Sequence, residues 1–320
     1  MTNPVRTTTL KVIKQAKDIR INQERVREIA RKWTKSKLIV PSWPFKYHLQ
    51  TRNQKKMLDY LILLDAINFC FWSKKKKWQI KYKGKKYDGY FALSLALRKF
   101  FEENPEKANL NYFSKIPFKE FKEILQDGKN LLFLEKRWQI ARAVSKTLIE
   151  RYENSENFVK SAKQEISILV SKIYQELPFF DDISNYKGEE IYFLKRAQIL
   201  AADIWGAFRG REIGHFKDLD YLTCFPDYKI PQILHHFGIL EYSSALEKKI
   251  KNKIIIPKGS IQEIEIRSGT VWGIEYLKNA LEKLGKRFYS FEVDWILWNK
   301  NQFFSKREIL PYHLTKTIFY

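Results

Sequence analysis

Asp227 lies in residues 216–242, FKDLDYLTCFPDYKIPQILHHFGILEY, with Phe225 and Tyr228 close on either side. Pro226 precedes it and Pro231 follows the turn, and each breaks a helix by lacking a backbone donor and constraining the residue before it. A carboxylate held on a short rigid turn between flat rings can address a bound planar ligand. Asp is also favoured at turns and helix N-caps for purely local reasons. On this segment alone both readings stand.

Other polar residues sit where a helix is otherwise apolar. The run 190–210, EIYFLKRAQILAADIWGAFRG, reads as a helix that keeps Lys195, Arg196, Gln198 and Asp203. At 100° per residue, Arg196 and Asp203 fall within about 20° of each other and about 10 Å apart along the axis, with Lys195 nearer the stripe's edge. An internal ion pair and a pocket role are both consistent with that. In 57–72, MLDYLILLDAINFCFW, Asp65 and Asn68 interrupt a helix that is apolar nearly all round. They must be hydrogen-bonded if buried, either to another loop or at a pocket. Residues 291–300, FEVDWILWNK, set Asp294 and Asn299 among Trp295 and Trp298, and His48 sits in an extended aromatic loop, 41–50.

Much chemistry has no vehicle here. There is no GxxxxGK[ST] phosphate loop, no GxGxxG after a strand, no HExxH and no GxSxG elbow. His235 and His236 are adjacent, so they face different directions on a helix and make poor joint ligands. Cys70 and Cys224 are too few for a disulfide framework or a thiolate zinc site. No metal and no cofactor is expected. What remains is acid–base or electrostatic work by carboxylates, with cations for an anionic substrate.

The whole chain must position these groups. Its 320 residues, 44% hydrophobic and 15% aromatic, suit a folded core, while 12 Gly and 10 Pro leave little room for linkers. No apolar run is long enough to span a membrane and the first 20 residues lack a secretory core, so an intracellular, cytoplasmic protein is expected. Lys+Arg 59 against Asp+Glu 36 gives +23, which attracts polyanions. The lysines are spread through nearly every segment; the densest runs, 74–77 and 81–86, lie on one expected hairpin turning at Gly84. Direct nucleic-acid binding therefore stays open but is not favoured. Helices are expected over 10–35, from Gly89, across 134–148, from Asn157 to Pro178, over 190–210 and from Ser268, with residues 261–267 extended. The expectation is one mostly α domain over 1–320, with a few short strands and a loose tail at 1–9.

Several segments together resemble one family. FLKRAQILAADIWGAF, LTCFPDYKIPQILHHFGILEYS, EIEIRSGTVWGIEYL, VDWILWN and PYHLTKTIFY, with LLDAINFCFW and YDGYFALSLALRKF earlier in the same order, are similar to the queuosine salvage proteins. The resemblance runs from about Leu10 to Tyr320. It implies a helical fold related to DNA glycosylases, without metal or cofactor. The activity it implies is hydrolysis of the N-glycosidic bond of queuosine 5′-monophosphate, releasing queuine for return to tRNA. It places the catalytic carboxylate on Asp227 and base contacts on His48, Phe225, Asp227, Asp294, Trp295 and Asn299. Lys195 is its candidate for the phosphate, and Asp203 and Tyr228 join the substrate-binding set. The chain departs from the family at Asn299, usually Asp, and at Trp295, usually Tyr. It also reads Phe225-Pro226-Asp227-Tyr228-Lys229 for FADYR, and His313-Leu314-Thr315-Lys316 for an HRTR-like ending, with Lys316 where that motif has an arginine.

Overall fold

A computed structural model describes residues 2–74, 76–304 and 308–320. Lys75, inside the lysine run 74–77, lies outside the described residues. The chain is mostly α. It opens with α1 (Pro4–Ile13), β1 (Ile19–Ile21) and α2 (Gln23–Thr34), then a 3-10 turn, Phe45–Tyr47, and α3 (Gln54–Ala66). A hairpin, β2 (Gln79–Tyr82) and β3 (Lys85–Asp88), leads into α4 (Gly89–Glu103). Five helices follow: α5 (Leu110–Phe113), α6 (Phe118–Ile124), α7 (Leu134–Tyr152), α8 (Ser155–Lys160) and α9 (Ile166–Glu176). A second hairpin, β4 (Ile183–Tyr186) and β5 (Glu189–Tyr192), precedes α10 (Lys195–Ala207). After a long irregular stretch come α11 (Lys229–His236), β6 (Leu240–Tyr242), α12 (Ser244–Lys251), α13 (Ile261–Lys283) and α14 (Ser290–Asn301).

Local chemistry accounts for the boundaries. Asn22 caps α2 by accepting from the amides of Glu24 and Arg25, and Val26, Ile29, Ala30 and Trp33 then bury one face. Leu194, at φ 52°, turns the chain sharply into α10 and supplies no side-chain cap. Asp182 replaces it from 13 residues away, its Oδ2 accepting from the amide of Lys195 at 3.1 Å. In α3 every residue from Met57 to Ala66 is buried. Each fully buried Leu or Ile there contributes about 1.5–3 kcal/mol.

Helix α3 ends at Ala66, short of the Trp72 end of the expected run, because two buried guanidiniums hold the carbonyls beyond it. Arg196 donates to Ala66 O and Phe179 O. Arg137 donates to the carbonyls of Ile67 and Phe69, to Cys70 O at 3.3 Å and to Leu132 O at 3.1 Å. Those are among the acceptors that a helix C-terminus leaves unsatisfied.

Five other expectations need correction. The helix expected from Asn157 to Pro178 is split into α8 and α9 by a non-helical stretch at 161–165. Residues 3–9 are no loose tail: Pro4–Ile13 is helical, capped by Asn3, and Val5, Thr9 and Val12 are buried; residue 1 of the expected tail lies outside the described residues. The helix expected over 10–35 is broken over 14–22, where Glu265 accepts the amides of Lys17 and Asp18 and β1 pairs antiparallel with β6. The helix expected over 190–210 begins only at Lys195, because residues 189–192 pair back on 183–186. Residues 261–267 are not extended but open α13, capped by Ser260. The Ile–Glu alternation there imitates a strand. Its glutamates are nevertheless buried, Glu265 satisfied by backbone amides and by the Tyr186 hydroxyl at 2.9 Å.

Candidate active site

A cavity of about 700 Å³ opens where α10, α14, the 225–229 turn, the loop before α3, the loop after α3 and the start of α4 converge. Helix α10 contributes Lys195, Ile199 and Asp203, spaced four apart and therefore on one face. Helix α14 contributes Asp294, Trp295, Trp298 and Asn299, again one face, and Phe225, Asp227 and Tyr228 come from the turn.

Asp227 fixes the local turn and also lines the cavity. Its Oδ1 accepts from the amides of Lys229 at 2.6 Å and Ile230 at 2.9 Å, fixing the start of α11. That leaves Oδ2 for the cavity. Burial raises its pKa above the ordinary carboxylate value, while Lys195 and the two amides pull it back down. Asp294 lies nearby: its Oδ2 accepts from the Phe225 amide at 2.9 Å. Burial, then the charge of Asp227, holds its pKa well above the usual range, so of the two it favours the protonated form more strongly.

Lys195 is buried and donates one of its three ammonium protons to Asn68 O at 3.3 Å. Burial lowers its pKa, and Asp227 is the strongest influence raising it. The carbonyl it uses belongs to the loop that Arg137 and Arg196 pin, so those two arginines position Lys195 from behind. Asn68 meanwhile donates to Asp65 Oδ1 at 3.1 Å, which places Asp65 behind the loop and Asn68 on the cavity wall.

Asp203 does not pair with Arg196, which turns to the carbonyls already named. Its oxygens accept from Trp43 Nε1 at 3.1 Å and the Tyr90 hydroxyl at 3.2 Å. Burial pushes its pKa up to about 7. Trp43 can come this close because residue 206 is Gly; a Cβ there would sit 2.8 Å from the indole.

Asn299 donates its amide to Trp295 O at 2.8 Å, so its side-chain oxygen is left to face a ligand. At this position it presents one acceptor, as one oxygen of a carboxylate would. Trp295 lies on the same wall, against Trp205 and Phe291.

His48 is the exception among the expected contacts, for it does not line the cavity. It is fully buried behind Trp43, whose ring lies 4.0 Å away, and its nitrogens meet the hydroxyls of Tyr60 and Tyr90 at 3.1 and 3.3 Å. Two aromatic residues that were not singled out, Trp43 and Tyr90, stand in front of it. Lys316 is exposed and outside the cavity, so an arginine is not lost from the cavity wall there.

A buried ion pair that sequence reasoning also missed ties the turn to α10. Arg267 on α13 donates to Asp182 at 2.9 and 2.6 Å and to Pro226 O at 3.1 Å. The Arg267–Asp182 unit thus holds the residue before Asp227 and the amide of Lys195 together.

The chain belongs to the queuosine salvage protein family, whose model matches residues 47–320. It is 37% identical over 317 residues to the queuosine 5′-phosphate N-glycosylase/hydrolase of Sphaerobacter thermophilus, covering 99% of this chain and 97% of that one. The enzymes of that name from Dictyostelium discoideum and Bos taurus are 34% and 29% identical. They match over 82% and 97% of this chain and 77% and 96% of their own lengths. Among the described residues, no helix is long and apolar enough to cross a membrane.

Proposed function

We propose that the protein folds as one unit and hydrolyses queuosine 5′-monophosphate to queuine and ribose 5-phosphate. The observation that carries this is the divided carboxylate of Asp227: one oxygen locked to helix amides, the other offered to an enclosed cavity. As the base departs with the electron pair of the C1′–N bond, the sugar becomes cationic. Asp227 stabilises that charge from a fixed position and takes the proton of the water that adds to C1′; the ring nitrogen that left with the bonding pair gains a proton in exchange, so the base is released neutral and Asp227 returns its proton to solvent. Asp294, protonated, and Asn299, with its oxygen presented, suit the mixed donors and acceptors of a guanine-like edge. Phe225 and Trp295 give the base flat apolar walls, Tyr228 borders the sugar beside Asp227, and Lys195 offers its remaining donors to the phosphate.

A cavity of about 700 Å³ is the size of a small-ligand site. A mononucleotide fits that enclosure better than a polymer does, which is why a nucleic-acid-binding role is the weaker reading of the +23 charge. We place the reaction in the cytoplasm, where two free thiols, Cys70 and Cys224, stay reduced.

The test is incubation with queuosine 5′-monophosphate and mass-spectrometric assay of free base. Turnover is expected, with Asp227→Asn lowering kcat by about 100–1000-fold or more. The variant should stay folded, because an Asn oxygen still accepts the amides of Lys229 and Ile230. Salt-sensitive binding to tRNA without mononucleotide turnover would refute the proposal.

A further inference from the structure

One end of the cavity holds a carboxylate without a cation. Asp203 is 3% exposed, bonded only to two neutral donors, and forms no ion pair among the described residues. Lys195 lies about 12 Å back along the helix axis, and Arg196, about 10 Å back, is engaged with the carbonyls of Ala66 and Phe179. Around Asp203 stand aromatic walls: Trp43, Tyr90 and, 6.4 Å from Tyr90, Trp298. A fixed carboxylate among ring faces is the setting in which proteins hold organic cations.

We propose that Asp203, with Trp43 and Tyr90, receives a protonated amine on the substrate's base and so selects amine-bearing bases over plain 7-deazapurines. This rests on the function proposed above. Queuosine carries a secondary amine on a methylene attached to its deazapurine ring, and such an amine is cationic at neutral pH.

The hydrogen bonds behind Asp203 accommodate both of its charge states. The Tyr90 hydroxyl lies between Asp203 Oδ2 and His48 Nε2, at 3.2 and 3.3 Å. His48 Nδ1 meets the Tyr60 hydroxyl at 3.1 Å, and Tyr60 reaches Ser94 O at 3.1 Å. With Asp203 protonated, the donors run in one direction: Asp203 to Tyr90, Tyr90 to Nε2, Nδ1–H to Tyr60, and Tyr60 to Ser94 O. With Asp203 ionised, the direction reverses. Tyr90 donates to the carboxylate, His48 takes its other tautomer and donates to Tyr90, and Tyr60 donates to Nδ1. His48 is neutral in both, consistent with burial lowering its pKa to about 3.

The titratable groups facing Asp203 are Lys195 on its own helix, Tyr60 and Asp65 on α3, Tyr90 on α4 and His48 on the preceding loop. Since burial keeps Asp203 largely protonated below neutrality, an arriving ammonium ion displaces its proton to solvent.

The experiment compares kcat/KM for queuosine 5′-monophosphate and for 7-methyl-7-deazaguanosine 5′-monophosphate, which lacks the amine, in the wild type and Asp203→Asn. The wild type should prefer the amine by about 100-fold or more, and the variant's preference should fall to within about tenfold of equality. Equal losses on both substrates, or a wild type that does not discriminate, would overturn the inference. A second measurement needs no variant. Calorimetry of queuine binding to the wild type at pH 6, in buffers of different ionisation enthalpy, should show release of close to one proton. Release of none would overturn it as well. If neither nucleotide is cleaved, the proposed reaction fails, yet proton release on queuine binding still decides the role of Asp203.

Discussion

Replacing Arg267 with Met tests whether one buried ion pair sets both the carboxylate and the ammonium of the candidate site. Arg267 and Asp182 are 1% and 2% exposed in their side chains, and Glu263 lies 3.6 Å from the same guanidinium. Removing the cation leaves Asp182 as a buried charge, a change that costs about 3–5 kcal/mol. At about 2.1 cal/mol/K per residue, 320 residues give an unfolding entropy of about 0.7 kcal/mol/K. Tm should therefore fall by about 6 °C, leaving the variant folded at 20 °C. At that temperature kcat should still drop by about 10–100-fold, because Pro226 O loses its anchor and Asp227 moves with it. Adding Asp182→Asn separates the two effects. The double variant should regain at least half of the lost stability, since removing both partners of a buried pair is close to neutral. It should regain none of the lost kcat. Differential scanning calorimetry and steady-state rates on queuosine 5′-monophosphate measure both. A single variant with wild-type kcat, or a double variant that recovers activity along with stability, would refute the positioning role.

Three further outcomes follow from the same geometry. The rate should fall on the acid side through a pKa above the ordinary carboxylate range, as the raised group Asp227 protonates. It should fall on the alkaline side below 10.5, as the lowered group Lys195 loses its proton; a kcat/KM profile against pH shows both limbs. Asp203, raised from 3.8 to about 7, stabilises the fold fully below pH 4 and withdraws about 4 kcal/mol as pH climbs through about 7. Urea unfolding of the wild type and Asp203→Asn at pH 4.5 and 8 should show a difference between them that changes by that order; parallel curves would contradict it. Gly206→Ala should displace the Trp43 indole and with it the hydrogen bond to Asp203, lowering kcat/KM while far-UV circular dichroism stays unchanged.

The sequence conveyed the helical class and the first hairpin because their signals are local: apolar spacing in α2, and Gly84 between two alternating runs. It misled where a buried polar residue has a distant partner. Glu263 and Glu265 made residues 261–267 look like a half-exposed strand, since nothing nearby says that Tyr320 and the Lys17 and Asp18 amides satisfy them. The end of α3 was illegible for the same reason, its stop being imposed by Arg137, 70 residues further on. Within the candidate site, Asp227, Asp294, Lys195 and Asp203 stood out as polar residues in apolar text. His48 stood out too, but no local pattern tells a residue on the wall from one just behind it. Trp43 and Tyr90 sat in segments already rich in aromatics, where another ring carries no signal.

The charge of the empty cavity explains why so many carboxylates converge there. Were Asp203, Asp227 and Asp294 all ionised around Lys195, those four groups by themselves would sum to a negative charge and weaken the pull of Lys195 on a nucleotide phosphate. Burial opposes this by raising the pKa of Asp294 well above the usual carboxylate range and that of Asp203 to about 7, while Asp227 and Lys195 each favour the other's charged form. On the proposed function, the phosphate then meets Lys195 without a full set of ionised carboxylates around it. On the role proposed for Asp203, a cationic base shifts it toward its ionised form. The same desolvation that makes these carboxylates costly to ionise lets one cavity admit a ligand carrying a dianion at one end and an ammonium at the other.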